Sequence, residues 1–416
     1  MRKKIGKLFL NSLIIWIACI ANARAQTAGN TVRCPVKDIA DIIKRKDSIK
    51  VAAQKNSYLL IIPVVGSQPA TGFMYGVTSQ YTFKGIKPED KYSTVNISTI
   101  YTSKKQLLIN LKNNVLLHNN KVFLSGDWRV YFFSQSNYGL GTNIIPSKKN
   151  NPGFALADIE EPMEYNYIKL HQTVSWKVKG NFYAGGGIHI DAYNKIKDQM
   201  LDTANNVYTQ HYSYSKKYGF NPGHYSVSGV SVNLVYDSRD NQINANHGWF
   251  GNINYRINPA LNKKQQANTS LYTELRYFKP LDKKNVQHVL AFWAYGQFTT
   301  SGKTPYLNLP AIGWDQRSRA GKGYTQGLFR GFNLIYTEIE YRFPITCNQL
   351  VSGTVFSDFT TTSNKDQHVK MFQYIQPAIG LGIRVLLDKA TRTNFVLNYG
   401  WGRKSNGFYL NAVETF

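Results

Sequence analysis

From about residue 57 to the end of the chain, apolar and polar residues alternate with a period of two. That is the pattern of strands whose successive side chains meet opposite environments. In Val230–Asp237 one face carries Val230, Val232, Leu234 and Tyr236. In Trp249–Ile257 the residues Trp249, Ile253, Tyr255 and Ile257 oppose Asn252, Asn254 and Arg256. In Leu334–Phe343 the residues Ile335, Ile339, Tyr341 and Phe343 oppose Tyr336, Glu338, Glu340 and Arg342. Charges confined to one face fit a wet lumen on the inside and lipid on the outside.

The alternation predicts an all-β fold, a transmembrane antiparallel barrel of about 16 strands. The strands start roughly at 57, 71, 93, 106, 121, 162, 180, 223, 247, 269, 286, 333, 350, 373, 392 and 407. Connection lengths give an independent check. With the N-terminus on the periplasmic side, the turns around 84–91, 118–121, 179–181, 280–285, 344–349 and 388–391 all fall on one rim and are short. The connections near 134–161, 193–222, 258–268 and 301–332 fall on the other rim and are long. Short periplasmic turns with long external loops are the mark of outer-membrane barrels.

The N-terminus points to export. Arg2, Lys3, Lys4 and Lys7 precede an apolar run from Leu8 to Ile20, and Ala23-Arg24-Ala25 has the form of a cleavage site. Residues 1–25 thus read as a signal peptide. A lipid-modified Cys19 is the rival reading, and Trp16-Ile17-Ala18 before it fits that poorly. Residues 26–56 read as a periplasmic segment with a Lys-rich helix over Asp38–Ala53, and residues 57–416 as the barrel.

Composition adds two points. Aromatic residues make up 14% of the chain, with 28 Tyr, as girdles at two membrane interfaces require. The net charge is +26. Export makes nucleic acid an improbable partner; lipid head groups, lipopolysaccharide or an acidic protein suit the charge better. The Lys-Lys pairs at 104–105, 148–149 and 263–264 lie in external connections, where they either meet lipopolysaccharide phosphates or serve solubility.

Two motifs carry a family resemblance. Arg330-Gly331-Phe332 lies in the sixth external loop, just before the strand ending Glu340-Tyr341-Arg342-Phe343-Pro344. Tyr236-Asp237-Ser238-Arg239-Asp240-Asn241, followed by Gly248, forms a periplasmic turn. At this spacing the chain resembles the BamA/TamA superfamily of outer-membrane barrels, also called the bacterial surface antigen family, over residues 57–416. The resemblance implies that loop six folds into the lumen and that Arg330 pairs with Glu340 and Asp358 on the inner wall. Arg presents a planar donor fork to carboxylates, and Gly331 permits close approach. The alternative is a solvated loop arginine. Asp237 and Arg239 share one side of a turn, where they shape the periplasmic mouth or simply close the turn beside Asp240-Asn241.

The resemblance also implies a seam between first and last strands that inserts or passes polypeptide. Pro63, which suits an edge strand, is consistent with a weak seam. Two features depart from the family. About 30 residues precede the barrel where assembly members carry POTRA modules, and Glu414 stands where the terminal signal is commonly apolar.

No protease, nucleotide or hydrolase signature is present. Gly185-Gly186-Gly187 reads as a point of close strand packing and Glu160-Glu161 as solvated loop charges. His189 and Asp191 share a strand face, explained by lumen polarity better than by a metal. Neither an enzyme nor a cofactor is expected. Cys34 and Cys347 both face an oxidising compartment, which allows a disulfide between the N-terminal segment and the barrel rim. The leading functional expectation is outer-membrane protein or lipid assembly, or export of a partner, with a periplasmic or outer-membrane protein partner. A passive pore or structural surface antigen is the alternative.

Overall fold

The computed structural model describes residues 34–44, 56–68, 72–87, 90–146, 151, 153–261, 266–282, 287–411, 414 and 416. The signal peptide expected over 1–25 lies outside them, as does the second half of the helix expected over Asp38–Ala53. The described part of that helix is α1, Ile39–Lys44.

Sixteen strands follow one another in a single antiparallel sheet. They are β1 Ser57–Gln68, β2 Gly72–Phe83, β3 Ser93–Thr102, β4 Leu107–Leu117, β5 Val122–Asn137, β6 Glu161–Lys179, β7 Phe182–Asp198 and β8 Tyr225–Asp237. The second half comprises β9 Gly248–Asn258, β10 Asn268–Pro280, β11 Val289–Gly302, β12 Asn333–Pro344, β13 Val351–Thr362, β14 Gln376–Asp388, β15 Thr393–Gly402 and β16 Ser405–Asn411. The predicted number and order hold. The tallest walls are β6 and β7, whose rails continue past the point where the alternation in sequence becomes irregular.

Each strand hydrogen-bonds its sequence neighbour, and the sheet curls into a barrel whose two ends meet. Inside, Gln80 Nε2 of β2 donates to Thr393 Oγ1 of β15 at 3.4 Å, bridging the seam from one end of the sheet to the other. Among the described residues no ladder joins β1 to β16. No helix among them is long and apolar enough to cross a membrane; the strands supply the spanning elements.

The alternation partitions as expected. Val230, Val232, Leu234, Trp249, Ile253 and Ile257 are exposed on the outer face, while Glu338, Glu340 and Arg342 are buried within. Apolar residues facing lipid complete their environment in the membrane, so the protein's own core sits in the lumen, where loops fold in. A cluster of Phe278, Trp293, Tyr295, Leu328, Phe329, Tyr336 and Phe416 fills one part of it. A second, of Tyr165, Tyr167, Tyr193, Tyr214, Tyr306 and Phe332, lies under the external loops. Helix α2, Gln210–Tyr218, caps that second cluster; Thr209 accepts from Tyr212 N at its start and Gly219, at φ +78°, ends it.

Candidate functional site: a plug in the lumen and its charged cage

Loop six, residues 303–332, returns into the barrel, and its tip is organised by one side chain. Asp315 accepts backbone N–H bonds from Arg317, Arg319 and Ala320 at 3.0 to 3.3 Å. That Asx-type turn throws the next residues against the inner wall. Lys322 Nζ lies 2.6 Å from Glu338 and 3.2 Å from Glu340, and 3.8 Å from the centre of the Phe356 ring. Gly323, at φ +103°, leaves no room for a side chain: a Cβ there would stand 2.8 Å from Gly402 N of β15. Tyr324 donates to Pro377 O at 2.6 Å, and the Gly323 N–H donates to Tyr409 Oη of β16 at 2.8 Å.

The cage extends beyond the loop. Glu340 accepts from Arg342 Nε at 2.6 Å and from Arg384 Nη2 at 2.7 Å. Arg384 Nε in turn donates to Glu414 at 2.7 Å, and Asn394 Nδ2 donates to the other Glu414 oxygen at 2.7 Å. Lys322, Arg342 and Arg384 thus balance Glu338, Glu340 and Glu414. All six side chains are 5% exposed or less. Removing one member would strand its partners without compensation, which costs ~3–5 kcal/mol for a fully buried pair.

This corrects the expected role of Arg330. No ion pair joins Arg330 to Glu340 or Asp358 among the described residues. Its Nη1 donates to the carbonyls of Tyr306, Leu307 and Leu309 at 3.1 to 3.2 Å, with the guanidinium 5.4 Å from the Tyr306 ring. The reason is reach. Glu340 lies seven residues into β12 from Asn333, roughly 23 Å down the strand at ~3.3 Å per residue, and no side chain at the loop's base covers that. Lys322, on the returning tip, does. Lys322-Gly323-Tyr324 repeats the basic-glycine-aromatic order of Arg330-Gly331-Phe332, so the signal was present one turn earlier in the same loop. Arg330-Gly331-Phe332 instead knits the external loops. A Cβ on Gly331 would stand 2.4 Å from Ser363 O, and Phe332 is buried against Tyr214 and Tyr218 of α2. Asp358, opposite Glu338 in the β12–β13 ladder, is buried and accepts no hydrogen bond among the described residues.

Side chains of the motif tie down the turn after β8. Arg239 pairs with Asp237 through two bonds of 2.9 and 2.8 Å and lies 4.4 Å from the Phe250 ring. Asp240 pairs with Arg392 at 2.5 Å, and Asn241 Nδ2 donates to Thr391 O at 3.1 Å. Gly248 takes φ +111°, with Ser238 O only 2.5 Å from where a Cβ would be. These bonds close the turn and also tuck it inward: Gln242, Ile243 and Ala245 are buried. Arg317 of the loop-six tip donates to Gln242 O at 3.3 Å. The external loop and the periplasmic turn therefore meet inside the barrel. Alternation did not foretell the infolding, because a turn of ten residues reads as merely long.

The remaining candidates are held by their neighbours. Asp191 accepts from Tyr167 at 2.8 Å and from Arg256 at 2.8 Å and lies 2.9 Å from His171, while His189 Nε2 meets Ser231 at 2.7 Å. Among the described residues no group of three His, Cys, Asp or Glu could hold a metal. At Gly185 a Cβ would meet Val174 O at 2.0 Å, as close strand packing requires. Glu160 and Glu161 bond Ser136 and Asn137. Asp198, His211 and Ser215 form a hydrogen-bonded chain with spacings of 2.9 and 3.4 Å; all three side chains are buried, and the chain ties α2 to β7. Cys34 and Cys347 are both disulfide-bonded.

A family model described as the Omp85 superfamily domain matches residues 179–416, more than half of the chain. The chain belongs to the Omp85 superfamily. The match spans the infolded turn, loop six and every member of the cage. Among solved structures, BamA of Haemophilus ducreyi, in a form lacking POTRA domains 1–3, shares the fold with a TM-score of 0.52 and 13% identity, over 86% of this chain and 69% of that one. CdiB of Acinetobacter baumannii matches with a TM-score of 0.50 and 14% identity, over 86% of this chain and 60% of that one. The chain thus spans under two thirds of that CdiB. No curated protein matches by sequence. The protein is an outer-membrane β-barrel of this superfamily.

Proposed function

We propose that the seam between β1 and β16 is a lateral gate through which this Omp85 barrel inserts or passes polypeptide, in outer-membrane protein assembly or in export of a partner chain. The observation that carries the reading is the pair of strand edges that no ladder joins among the described residues. An edge strand offers a row of backbone donors and acceptors to any extended chain. The Lys322-Gly323-Tyr324 tip bonds the β12–β16 side of that seam, which steadies that edge. A passive pore is disfavoured by the contact between Arg317 and the infolded turn, which obstructs the lumen.

The cysteine pairing belongs to the same reading. Lys37 N–H donates to Asn348 O at 3.0 Å, and Asp38 and Asp41 bond Lys389 at 3.1 and 2.8 Å. These contacts hold α1 on the periplasmic rim, and a bond between Cys34 and Cys347 would reinforce them. A rim held in this way suits a periplasmic protein partner, and external lysines suit lipopolysaccharide.

The test is a reversible staple across the seam, with Pro63→Cys and Gly407→Cys joined by a cleavable linker in cells depleted of the native protein. Stapling should stop insertion of other barrels or release of a partner, and cleavage should restore it. Unchanged assembly and export with the staple complete, together with large steady currents in planar bilayers, would reject the gate in favour of a pore.

A further inference from the structure

We infer that the barrel holds one anionic amphiphile, a phospholipid with its acyl chain inserted through the seam, in a cavity of about 570 Å³ between β1–β4, loop six and β16. This stands apart from whether the seam passes polypeptide.

The inner wall here breaks the rule that lumen positions are polar. On β1 the inward residues Leu60, Ile62 and Val64 are apolar, and so are the outward residues Leu59, Ile61 and Val65. The ladder places Val64 opposite Gly76, Gly76 opposite Ile100, Ile100 opposite Leu108 and Leu108 opposite Tyr131. This inner row is therefore apolar, with Gly76 in its middle, while nearer the external rim Met74 pairs with the polar Thr102. Two residues nearer the periplasm the row reads Ile62, Thr78, Ser98 and Asn110, and two further Leu60, Gln80, Asn96 and Lys112. From the apolar row toward the periplasm the wall grades from apolar to polar.

Charge completes the match. Lys112, Arg317 and Arg319 line this cavity, and no Asp or Glu among the described residues does. Asp127, opposite Lys112 in the ladder, is already paired at 2.7 Å to both Arg129 and Lys169. An apolar end with a cationic end suits an acyl chain carrying a phosphate, since water in the apolar end forfeits what an acyl chain would gain. The volume falls within the 300–1,000 Å³ range of ligand sites. The cavity also touches both faces of the seam: Pro63, Phe408 and Leu410 face outward, with Phe408 67% exposed. A chain can thus enter sideways from the bilayer without crossing water. The polar rows lie toward the periplasmic side, which orients the ligand like a lipid of the periplasmic leaflet.

The full chain, folded in detergent, would be offered phosphatidylglycerol, phosphatidylcholine of the same chains, or inorganic phosphate, and read by native mass spectrometry. Retention of one phosphatidylglycerol in clear preference to phosphatidylcholine is expected. Lys112→Gln should cut that preference about tenfold, the scale of one charge-assisted hydrogen bond. Leu108→Trp, which fills the apolar end, should remove the bound lipid. Both variants are first checked for the heat-modifiable gel mobility of a folded barrel; if Leu108→Trp fails it, Lys112→Gln alone decides. Equal retention of the two lipids, insensitivity to the substitutions, or full displacement by inorganic phosphate would overturn the inference.

Discussion

Lys322 Nζ and a Glu338 carboxylate oxygen stand 2.6 Å apart inside the lumen, each side chain 1% exposed or less. The two residues belong to different parts of loop and wall, sixteen positions apart, and their contact fixes where loop six ends up. Exposed ion pairs are worth little. A buried pair set in a network has no water to fall back on, so its loss is felt.

Lys322→Ala should therefore destabilise the folded barrel by up to ~3–5 kcal/mol, less any relief from lumen water. Lys322→Arg should recover most of it. Heat-modifiability midpoints on semi-native gels measure this directly. Arg330→Ala should leave the cage intact and loosen the external loops, so proteolysis of loops four and six should rise while the midpoint shifts less. Equal midpoints for Lys322→Ala and the parent would contradict the assignment.

Glu414 and Arg384 form the far end of the same network, 2.7 Å apart. Glu414→Gln and Arg384→Met should each destabilise, and the double substitution by less than their sum. Coupling of ~0.5–3 kcal/mol is the range for residues in one network. Additive effects in that cycle would show that the two side chains act independently.

Gly323→Ala tests the approach of the loop to β15. The residue needs both a left-handed backbone, at φ +103°, and free space beside Gly402. Displacement of the tip should make a cysteine at Tyr324 accessible to a water-soluble maleimide, where the glycine parent protects it. Equal labelling rates would mean that the tip tolerates a side chain there.

Docking of α1 should depend on pH and salt. The Lys389 ammonium, hydrogen-bonded to Asp41, holds that carboxyl below its ordinary range, and Asp41 holds Lys389 above its own. A depressed carboxyl stabilises above its unfolded value and loses this as pH falls through its folded one. A raised ammonium stabilises below its unfolded value and loses this as pH rises through its folded one. Docking should be tightest between those limits and weaken on either side. Both groups are largely exposed, so added salt should screen the effect. Hydrogen exchange across Ile39–Lys44 reads it; a flat profile from acid to alkaline pH would count against the pair.

The proposed pairing of Cys34 with Cys347 predicts a mature protein with no free thiol and a mobility change on reduction. Two thiols titrated in the unreduced, unfolded chain would refute it.

The barrel was legible in the sequence because side-chain alternation is a local property. Each strand reports its own inner and outer faces, and loop lengths on the two rims sort by parity without reference to any distant residue. That is why Glu338, Glu340 and Arg342 could be placed inside, and Asp237 and Arg239 on one side of a turn. What local pattern cannot convey is depth. Arg330 and Lys322 head two equivalent tripeptides in one loop, and only the path of the folded chain decides which reaches Glu340. The same holds for Glu414, whose charge looked misplaced for a strand facing lipid and is satisfied by Arg384 from a neighbouring wall. It holds for the turn 238–247, whose length permitted infolding without requiring it. Sequence alone determined the sheet, its faces and its rims, since these rest on a two-residue period. Tertiary structure decided what fills the lumen, since that depends on where loops of different lengths meet once the cylinder has curled.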